Sequence, residues 1–489
     1  MGEKIAGKYR GTSALTGLIY GMAEFYGGGA FVIINTFFMV FLTKALGIPA
    51  AWAGAIPLVG KVWDAVTDPI MGNITDRTTS RFGPKRFYIL IGGIVSAVTF
   101  VLLWTTIPSE SKVALFVYYI VIYCLFSTGF TILMVPYNGL HPDMIDDYAI
   151  RSKFSTMRMI WSTLGAIAAG IIPTLMIKDT LHVDMYLKVG ILFGILFCMS
   201  SLISFAGTWE KLKEPVKSSI GDSFSQAGSV FKSRSFRIFV GIYLSGQCGM
   251  DFVSGMAIYY VDEVLNGYSK GYLTMLMGVL LISQLLGMLV FGPIMTKTSK
   301  KATILIGAPI RIVCTLGLLA FSYEGAPIAP ILALSAGVGI GNAATLTSIF
   351  AILADMADVD ELITSVSRPG IVSGMATFAR KISAGLSAWV IGLLISFAGY
   401  DAGIAKAGLR QSLHTQNVIA MIFIFLPVIL VTLLLIFGYM FPITKKEFEL
   451  VHKEIARRKG EDDSEATEEE KKVLKRVTGI EYEQLWGNK

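Results

Sequence analysis

The segment KVWDAVTDP, at residues 61–69, places ionisable side chains inside an otherwise apolar block. Asp64 and Asp68 stand at positions i and i+4, so in a helix they share one face, one turn apart. Two carboxylates at that spacing repel each other and raise each other's proton affinity unless a cation lies beside them. At about 4 Å, unit charges interact by roughly 4 kcal/mol at an effective dielectric of 20. The spacing therefore predicts a site for Na⁺, Li⁺ or a proton.

Two further features of this segment favour a bound cation. The hydroxyl of Thr67 lies next to the acidic face, and Pro69 removes a backbone donor, which leaves the Ala65 carbonyl without its helical partner. Hard oxygen ligands of this kind suit such cations. The alternative is that Lys61 merely neutralises one of the two acids within the helix, but that would leave the second carboxylate unexplained.

Other charged residues also interrupt apolar blocks, where each costs about 2.5 to 3.5 kcal/mol unless it has a partner or a water-filled cavity. Arg158 and Lys381 are predicted to face a central cavity, and Thr377 shares the face of Lys381 one turn earlier. Arg380 is rotated by about 100° from Lys381 and is predicted to reach loop acids or lipid. For Arg158, snorkelling to the membrane surface is an equal alternative. Three more charges of this type are Glu24, Asp251 and Arg311.

The composition indicates that these residues belong to a membrane protein. Of 489 residues, 54% are hydrophobic and only 16% are charged, whereas a soluble domain carries about a quarter charged residues. Apolar blocks of about 20 residues, the length that crosses a bilayer, recur about twelve times between Leu15 and Met440. No removable signal peptide is indicated before the first block. We therefore predict an all-α membrane protein with about twelve transmembrane helices.

Lys and Arg are unequally distributed between the connections, with about nineteen in alternate loops and about seven in the others. Because positive loops stay on the cytoplasmic side, both termini are predicted to be cytoplasmic in the plasma membrane. The net charge of +7 then reflects topology and contact with anionic membrane lipids, and no nucleic-acid partner is expected.

Similar segments after the second and eighth blocks indicate two halves. GNITDRTTSR, at 72–81, matches GPIMTKTSKK, at 292–301, in its small and basic positions. A repeat about six spans long is typical of the major facilitator fold, with two six-helix halves. The predicted parts are an N-terminal half at 1–208, a cytoplasmic linker loop at 209–236, a C-terminal half at 237–441 and a charged cytoplasmic tail at 442–489.

The charged tail contains Phe448, Val451 and Ile455 at helical spacing, which predicts an amphipathic helix. The acidic runs at 461–465 and 468–470 are predicted to form a solvated segment. The tail is too short for an enzyme domain.

Motifs for catalysis or ATP use are missing from the sequence. The histidines fall in predicted loops or the tail, no hydrolase arrangement of Ser, His and Asp is recognisable, and no nucleotide-binding P-loop is present. The cysteines form neither a metal-binding pattern nor a disulfide framework. We therefore expect no enzyme activity and no cofactor. The residues concerned are His141, His182, His414, His452, Cys124, Cys198, Cys248 and Cys314.

Residues 61–86, KVWDAVTDPIMGNITDRTTSRFGPKR, resemble the signature of the glycoside, pentoside and hexuronide cation symporters of the major facilitator superfamily. The similarity lies in a D-x-x-[NT]-D-P-x-x-G core followed by a basic R-x-G loop. Further matches are VPY at 135–137, ADMAD at 354–358 and Lys381. The resemblance covers most of the chain and implies secondary active transport of a sugar, glycoside or hexuronide into the cell, driven by a cation gradient.

The same resemblance implies roles for individual residues of the cation site. Asp64 and Asp68 would coordinate the coupling cation, which is Na⁺ or Li⁺ if it is not a proton. Thr67 and Thr377 would supply further oxygens. Lys381 would lie beside them and also near the sugar, so that one cluster senses both solutes.

The sugar site departs from the family pattern. The acid with which family members grip sugar hydroxyls in the first span aligns with Gly28, and Glu24, one turn away, is its predicted substitute. A second such acid, in the fourth span, aligns with Met134, and the aromatic residue one turn later aligns with Asn138. Arg158 is implied to lie near the sugar. The cationic side chains of Arg158 and Lys381 are retained, whereas carboxylates are fewer than in the family pattern, which favours an anionic sugar. A neutral glycoside also fits.

The predicted mechanism is alternating access, in which cation binding relieves the repulsion between the paired acids and organises the adjacent sugar site. A gating loop formed by Asp76, Arg77 and Arg81 would pair with cytoplasmic helix ends in one state. One alternative is a lipid or drug exporter on the same fold. Another is a receptor or scaffold that binds a ligand and signals through the tail without net flux.

Overall fold

The computed structural model describes residues 5–7, 11–145, 148–211 and 228–486, without the side chains at 5, 76, 142, 148, 149, 151 and 152. The described chain is almost entirely helical, which confirms the predicted fold class. Its strands are β1 (Ile5–Ala6) and β2 (Glu210–Lys211), which pair antiparallel.

The described part of the chain contains twelve long helical segments. Ten of them are long and apolar enough to span a membrane. The first begins as α1 and α2 and continues through two π-helical segments, in which hydrogen bonds skip one residue more than in an α-helix. The helices before the linker are α1 (Ala14–Gly21), α2 (Glu24–Ile33), the π-helices Ile34–Phe38 and Phe41–Ala45, α3 (Ala50–Arg77), α4 (Pro84–Leu102), α5 (Lys112–Met144), α6 (Tyr148–Met176) and α7 (Val183–Gly207).

The segments after the linker repeat this arrangement, beginning with a long helix that also ends in a π-helix. The two long helices that are not apolar enough to be recognised as membrane spans are α3 and α8, which carry several of the charged residues singled out above. The helices are α8 (Arg234–Tyr259) with the π-helix Tyr260–Val264, α9 (Tyr272–Lys297), α10 (Lys300–Gly317), α11 (Ile328–Thr364), α12 (Pro369–Phe397), α13 (Ala402–Lys406), α14 (Leu413–Met440), α15 (Lys445–Lys459) and α16 (Glu468–Thr478).

The chain forms two compact units. Unit 1 contains residues 1–220, 254–278 and 384–420, and unit 2 contains residues 221–253, 279–383 and 421–489. Unit 1 therefore combines the part of the chain before the predicted linker with two segments from after it, whereas unit 2 contains only linker residues and segments from after the linker. Most of the linker lies outside the described residues. The division into two six-helix halves stays a prediction.

Unit 1 is held together by close helix pairs, among which α4 packs on α5 and α2 packs on α6. Small residues allow the approach, as expected where van der Waals contact rather than hydrophobic burial joins membrane helices. A Cβ atom on Gly165 would overlap the carbonyl oxygen of Phe25, so α2 and α6 are in backbone contact.

The core of unit 2 includes the tail. Residues of α15 and α16 pack into the same apolar cluster as Val359 and Leu362 of α11. Leu474 and Val477 have 0% of their surface exposed. The acidic run 468–470 forms the first turn of α16, and Glu468 and Glu469 are exposed there, which agrees with the prediction of a solvated acidic segment.

Local sequence explains both tail helices. Thr444 and Thr467 cap the N-termini of α15 and α16, and each makes a reciprocal capping box with the glutamate three residues later. Gly460 and Gly479 end the two helices in the left-handed conformation (φ 78° in both) that glycine adopts without strain.

Candidate functional site

Asp64, on α3, lies in a buried cluster of unit 1. None of its surface is exposed, and its Oδ2 atom is 3.1 Å from Nζ of Lys61. Lys61 also lies over the ring of Phe31, 3.7 Å from its centroid, in the arrangement of a cation–π contact. The alternative in which Lys61 neutralises one of the paired acids is thus the geometry found at Asp64.

Asp68 has a different partner. Its Oδ1 atom accepts a hydrogen bond of 2.7 Å from the hydroxyl of Thr131, on α5. The sequence did not identify Thr131, because no local spacing links residues 63 positions apart on different helices. The hydroxyl of Thr67 donates to the carbonyl of Trp63 at 3.1 Å, which leaves its oxygen able to accept or to ligate.

Arg158, on α6, joins a second cluster in unit 1. Its Nη2 and Nε atoms both contact Oε1 of Glu24, the latter at 3.1 Å, and Nη2 is 2.5 Å from Oδ1 of Asn138. The side chains of Arg158 and Glu24 are only 18% and 15% exposed. The guanidinium also lies 4.7 Å from the ring centroid of Tyr137. Arg158 is therefore held inside unit 1, which contradicts the snorkelling alternative.

Helix α5 connects the two clusters. Thr131 and Asn138 are seven residues apart in the sequence, which corresponds to two turns, or about 10 Å, along one helix face. Met134 lies between them, and its methyl group would be 2.8 Å from a Cβ atom built on Gly27. The carboxylate of Glu24 would be 2.6 Å from the same Cβ. Along one face of α5, Thr131 thus pairs with the carboxylate of Asp68. Two turns later, Asn138 joins the ion pair of Arg158 and Glu24.

The glycines of the first span explain why the acid stands at Glu24. A Cβ atom on Gly28 would overlap both the carbonyl oxygen and the hydroxyl of Ser162. An acidic side chain at position 28 would therefore force α2 away from α6. One turn earlier, Glu24 has room to reach Arg158.

Unit 2 contains the charged residues of α8 and α12. Arg380 makes two hydrogen bonds to Asp251, of 2.6 and 2.7 Å, so the prediction that it reaches loop acids or lipid is wrong. Thr377 is exposed, and its hydroxyl donates to the carbonyl of Ser373 at 2.9 Å. Lys381 is half-buried. That Thr377 and Lys381 join the acids of unit 1 in one site stays a prediction.

Arg311, on α10, is fully buried in unit 2. Its exposed fraction is 1%, and its Nη1 atom is 3.4 Å from the carbonyl oxygen of Gly246. The backbone of Gly341 approaches so closely that a Cβ atom there would be 2.9 Å from the Cβ of Arg311. Arg311 thus lies within the helix packing of unit 2.

The predicted gating residues lie at the end of α3 and in the connection from α3 to α4. Arg77 is exposed at the end of α3, and Arg81 stacks on Phe82 with 4.7 Å between the guanidinium and the ring centroid. The side chain of Asp76 is outside the described part of the structure. The pairing of this loop with other helix ends stays a prediction.

The start of α4, next to that loop, is held by two acids that the sequence did not single out. Lys85 forms an ion pair with Asp143, and Glu210 accepts hydrogen bonds from the backbone N–H groups of Lys85 and Arg86, at 3.0 and 3.2 Å. Burial raises the pKa of the Glu210 carboxyl, although these amides and the charge of Lys85 act against it. Both acids belong to other elements, so local spacing gives no signal for them.

A family model described as MFS/sugar transport protein matches residues 19–445. The isoprimeverose transporter of Lactiplantibacillus pentosus is 25% identical, over 84% of this chain and 85% of that protein. The glucuronide carrier protein homolog of Escherichia coli (strain K12) is 23% identical, over 90% of this chain and 95% of that protein.

Solved structures with the same fold include the nucleoside transporter NupG. The TM-score is 0.59 at 16% sequence identity, and the match covers 87% of this chain and 98% of NupG. A bacterial homolog of the human lysosomal transporter Spinster also has a TM-score of 0.59, at 15% identity. At these identities the likeness concerns the fold alone.

Proposed function

Because the chain belongs to the MFS/sugar transport protein family of multi-pass membrane transporters, we propose that it imports a sugar by symport with a monovalent cation. The family assignment agrees with the resemblance drawn from residues 61–86. The coupling cation is Na⁺, Li⁺ or H⁺, and the driving force is its gradient. By the distribution of Lys and Arg, the protein lies in the plasma membrane with both termini in the cytoplasm.

The observation that carries this proposal is the polar cluster on α3, one of the two long helices that are not apolar enough for a simple span. An uncompensated charge costs about 2.5 to 3.5 kcal/mol in such a helix. Lys61 offsets that cost at Asp64, and Thr131 supplies a hydroxyl to Asp68. A helix that needed only to span the membrane would not carry these residues.

The cation site consists of Asp64 and Asp68 with the hydroxyl oxygens of Thr67 and Thr131. A bound cation stabilises the two carboxylates together, because it lowers their mutual repulsion. Thr377 is the further ligand that the family resemblance implies.

The sugar site consists of Glu24, Asn138 and Arg158, with Lys381 as the residue that couples it to the cation. A carboxylate, a guanidinium and an amide together offer both donors and acceptors, which suits the hydroxyl groups of a sugar. Since Thr131 and Asn138 share one face of α5, a shift of this helix on cation binding would move both sites at once. By linkage, the sugar must then strengthen cation binding by the same factor.

The pair of Glu24 and Arg158 favours a neutral glycoside over a hexuronide. Their charges cancel, so a sugar carboxylate would have to displace Glu24 from the guanidinium and would be repelled by it. This argument outweighs the sequence-based preference for an anionic sugar, which treated Arg158 as an available cation.

The test is uptake into proteoliposomes of a panel of neutral glycosides, pentosides and hexuronides, under imposed gradients of Na⁺, Li⁺ or H⁺. We expect accumulation of one neutral sugar class with one cation, and its loss in Asp64→Asn and Asp68→Asn. The control is Asp184→Asn, which breaks an exposed ion pair with Lys188 (3.4 Å) and should leave uptake unchanged. If no sugar accumulates under any gradient, the proposal of sugar symport is wrong.

A binding measurement separates coupling from recognition. Asp68→Asn should abolish cation-driven accumulation more completely than sugar binding, since Asp68 accepts a hydrogen bond from Thr131, two turns of α5 away from the Asn138 that contacts Arg158. Cation-dependent uphill uptake that persists in Asp68→Asn would contradict the assignment of the cation site.

A further inference from the structure

A cavity of about 210 Å³ lies in unit 2, where the end of α9, the start of α10 and the start of the tail helix α15 meet. A buried water needs roughly 10 to 15 Å³, whereas a pocket for a drug-sized molecule takes about 300 Å³ or more. The cavity is thus large enough for a small ligand group but not for a complete drug-sized molecule. Its lining includes Ser299, Lys300, Asp355, Thr444, Lys445 and Phe448.

The cavity lies at the level where unit 2 leaves the membrane. Helix α14 ends at Met440, and the ring of Tyr439, just before that end, is exposed. Nζ of Lys301 lies 5.4 Å from the centroid of this ring and donates to the carbonyl of Tyr439 at 2.6 Å. Exposed tyrosines and lysines at helix ends mark the boundary between hydrocarbon and headgroups. Lys300 and Ile443, which line the cavity, directly adjoin this boundary, so the cavity lies at headgroup depth.

The two helices whose ends adjoin the cavity expose apolar side chains along their length. Leu289 and Val290 are exposed on α9, and Ile436 and Met440 are exposed on α14. A soluble protein rarely leaves so much apolar surface open, but the acyl chains of a membrane cover it. A lipid whose chains lie on these helices therefore has its headgroup at the level of the cavity.

Three side chains of the cavity retain donors that the protein does not use. Lys445 is exposed and has no hydrogen-bond or ion-pair partner among the described residues. Nζ of Lys300 donates to the carbonyl of Ala351 at 3.1 Å and to Asp355, so one of its three N–H groups is left. The hydroxyl oxygen of Ser299 accepts the N-cap hydrogen bond of α10 at 3.0 Å, so its own proton remains to be donated.

The charge at the cavity is positive. Asp355 is balanced by Lys300, with which it forms an ion pair. Glu447, in the first turn of α15, is balanced by Arg476 at 2.9 Å. Lys445 therefore remains as a cation that no acid of the described residues balances. Three converging donors and one positive charge suit an anion with several oxygen atoms, and phosphate is such an anion.

The position and the charge favour a lipid phosphate over a free one. The phosphodiester of a phospholipid carries a single negative charge, which one unbalanced lysine matches. A phosphate monoester carries about 1.5 to 2 negative charges at pH 7 and would leave part of that charge unbalanced. A soluble ligand would also gain nothing from the exposed apolar surface of α9 and α14.

We propose that this cavity binds the phosphate of an anionic phospholipid through Lys445, Lys300 and Ser299. By the predicted orientation the lipid belongs to the cytoplasmic leaflet, whose negative surface attracts basic segments. The bound headgroup joins the α9–α10 connection to the start of α15, so it fastens the tail to the membrane as well as to the core of unit 2. The lipid site goes beyond the proposed transport function, because it shares no residue with the cation and sugar clusters.

The test is native mass spectrometry of the full chain in a neutral detergent, titrated with phosphatidylglycerol. We expect one phosphatidylglycerol to bind before any other, and phosphatidylcholine with the same chains to bind about tenfold more weakly. Lys445→Ala should weaken this first phosphatidylglycerol about tenfold, because it removes the unbalanced charge and a charge-assisted hydrogen bond. Since Lys445 has no partner to lose among the described residues, the variant should keep the parent melting temperature.

Lys446→Ala is the matched control. Lys446 is the next residue and is equally exposed, but it does not line the cavity, so its loss should leave the affinity unchanged. Equal weakening in Lys445→Ala and Lys446→Ala would indicate general attraction to a basic surface and would overturn the site. Inorganic phosphate is added as a competitor. If it displaced the lipid at an equal concentration, the cavity would be a site for free phosphate and the lipid proposal would be wrong.

Hydrogen–deuterium exchange locates the bound lipid. Phosphatidylglycerol should slow exchange at residues 295–300 and 443–448 in the parent and in Lys446→Ala, but not in Lys445→Ala. Protection confined to other segments would place the lipid elsewhere and contradict the proposal. Neither a sugar nor an ion gradient is used here, so a failed uptake panel and a failed lipid site are separate results.

Discussion

Substitution of Glu24 by glutamine should change the selectivity of the transporter. The glutamine keeps an oxygen that can accept a hydrogen bond from Arg158, and it has nearly the same size. The charge of the pair, however, changes from zero to +1. We therefore expect Glu24→Gln to favour a hexuronide over the neutral glycoside of the same ring, because Arg158 becomes available to a sugar carboxylate.

The magnitude follows from the geometry of the pair. Unit charges at the observed 3.1 Å interact by about 5 kcal/mol at an effective dielectric of 20. Arg158 and Glu24 are 18% and 15% exposed, so water and the nearby Asn138 recover part of this energy. A residual effect of about 2 kcal/mol corresponds to roughly 30-fold in the ratio of the two affinities.

The assay is titration calorimetry of the purified protein with the neutral glycoside and its hexuronide counterpart, at saturating coupling cation. The matched pair of sugars cancels contributions from the ring, and the ratio of dissociation constants isolates the carboxylate. Asn138→Ala is the control at the same site. It leaves the charge unchanged and should weaken both sugars to a similar extent.

An unchanged ratio in Glu24→Gln, in protein with the parent melting temperature, would refute the reasoning. It would mean that the sugar does not meet the Glu24–Arg158 pair. A shift towards the neutral sugar would contradict the electrostatic argument itself.

Three further predictions concern other parts of the chain. Lys381→Ala should weaken the dependence of uptake on both cation and sugar concentration, and an unchanged dependence on both would exclude it from coupling. Leu474→Ala, at a position with 0% exposure, should destabilise the docked tail by about 3 kcal/mol, measured by thermal unfolding and by protease cleavage between α15 and α16. Burial opposes ionisation of Glu447, but hydrogen bonds from Thr444 and the charge of Arg476 outweigh the effect of burial and lower the pKa of Glu447 below 4.5. The stability of the docked tail should therefore fall as the pH drops through that lowered pKa, and Glu447→Gln should make stability less dependent on pH in this range.

The fold followed from the sequence because its signals are local. Apolar blocks of bilayer length predict the long helices, and the family signature at 61–86 predicts the architecture. The acidic face of α3 was also visible, since residues four apart in a helix must share a face. The same local signal gave the tail helix α15, but it missed α16, whose apolar residues are few and lie among charges.

The partners of the charged residues were less predictable, because they come from distant helices. Thr131 reaches Asp68 across 63 positions, and Asp251 reaches Arg380 across 129. A sequence shows that an intramembrane charge needs a partner but not which one it has. The snorkelling alternative for Arg158 was wrong for this reason, because neither Glu24 nor Asn138 is near it in the chain.

Hydropathy identifies membrane spans least well in the helices where transport chemistry is expected. Of the twelve long helices in the described chain, α3 and α8 are not apolar enough to be recognised as spans. These are the helices that carry Asp64 and Asp68 in one case and Asp251 in the other, each charge offset by a specific partner. Since insertion favours apolar side chains, charges kept in such helices against that cost must be maintained by function.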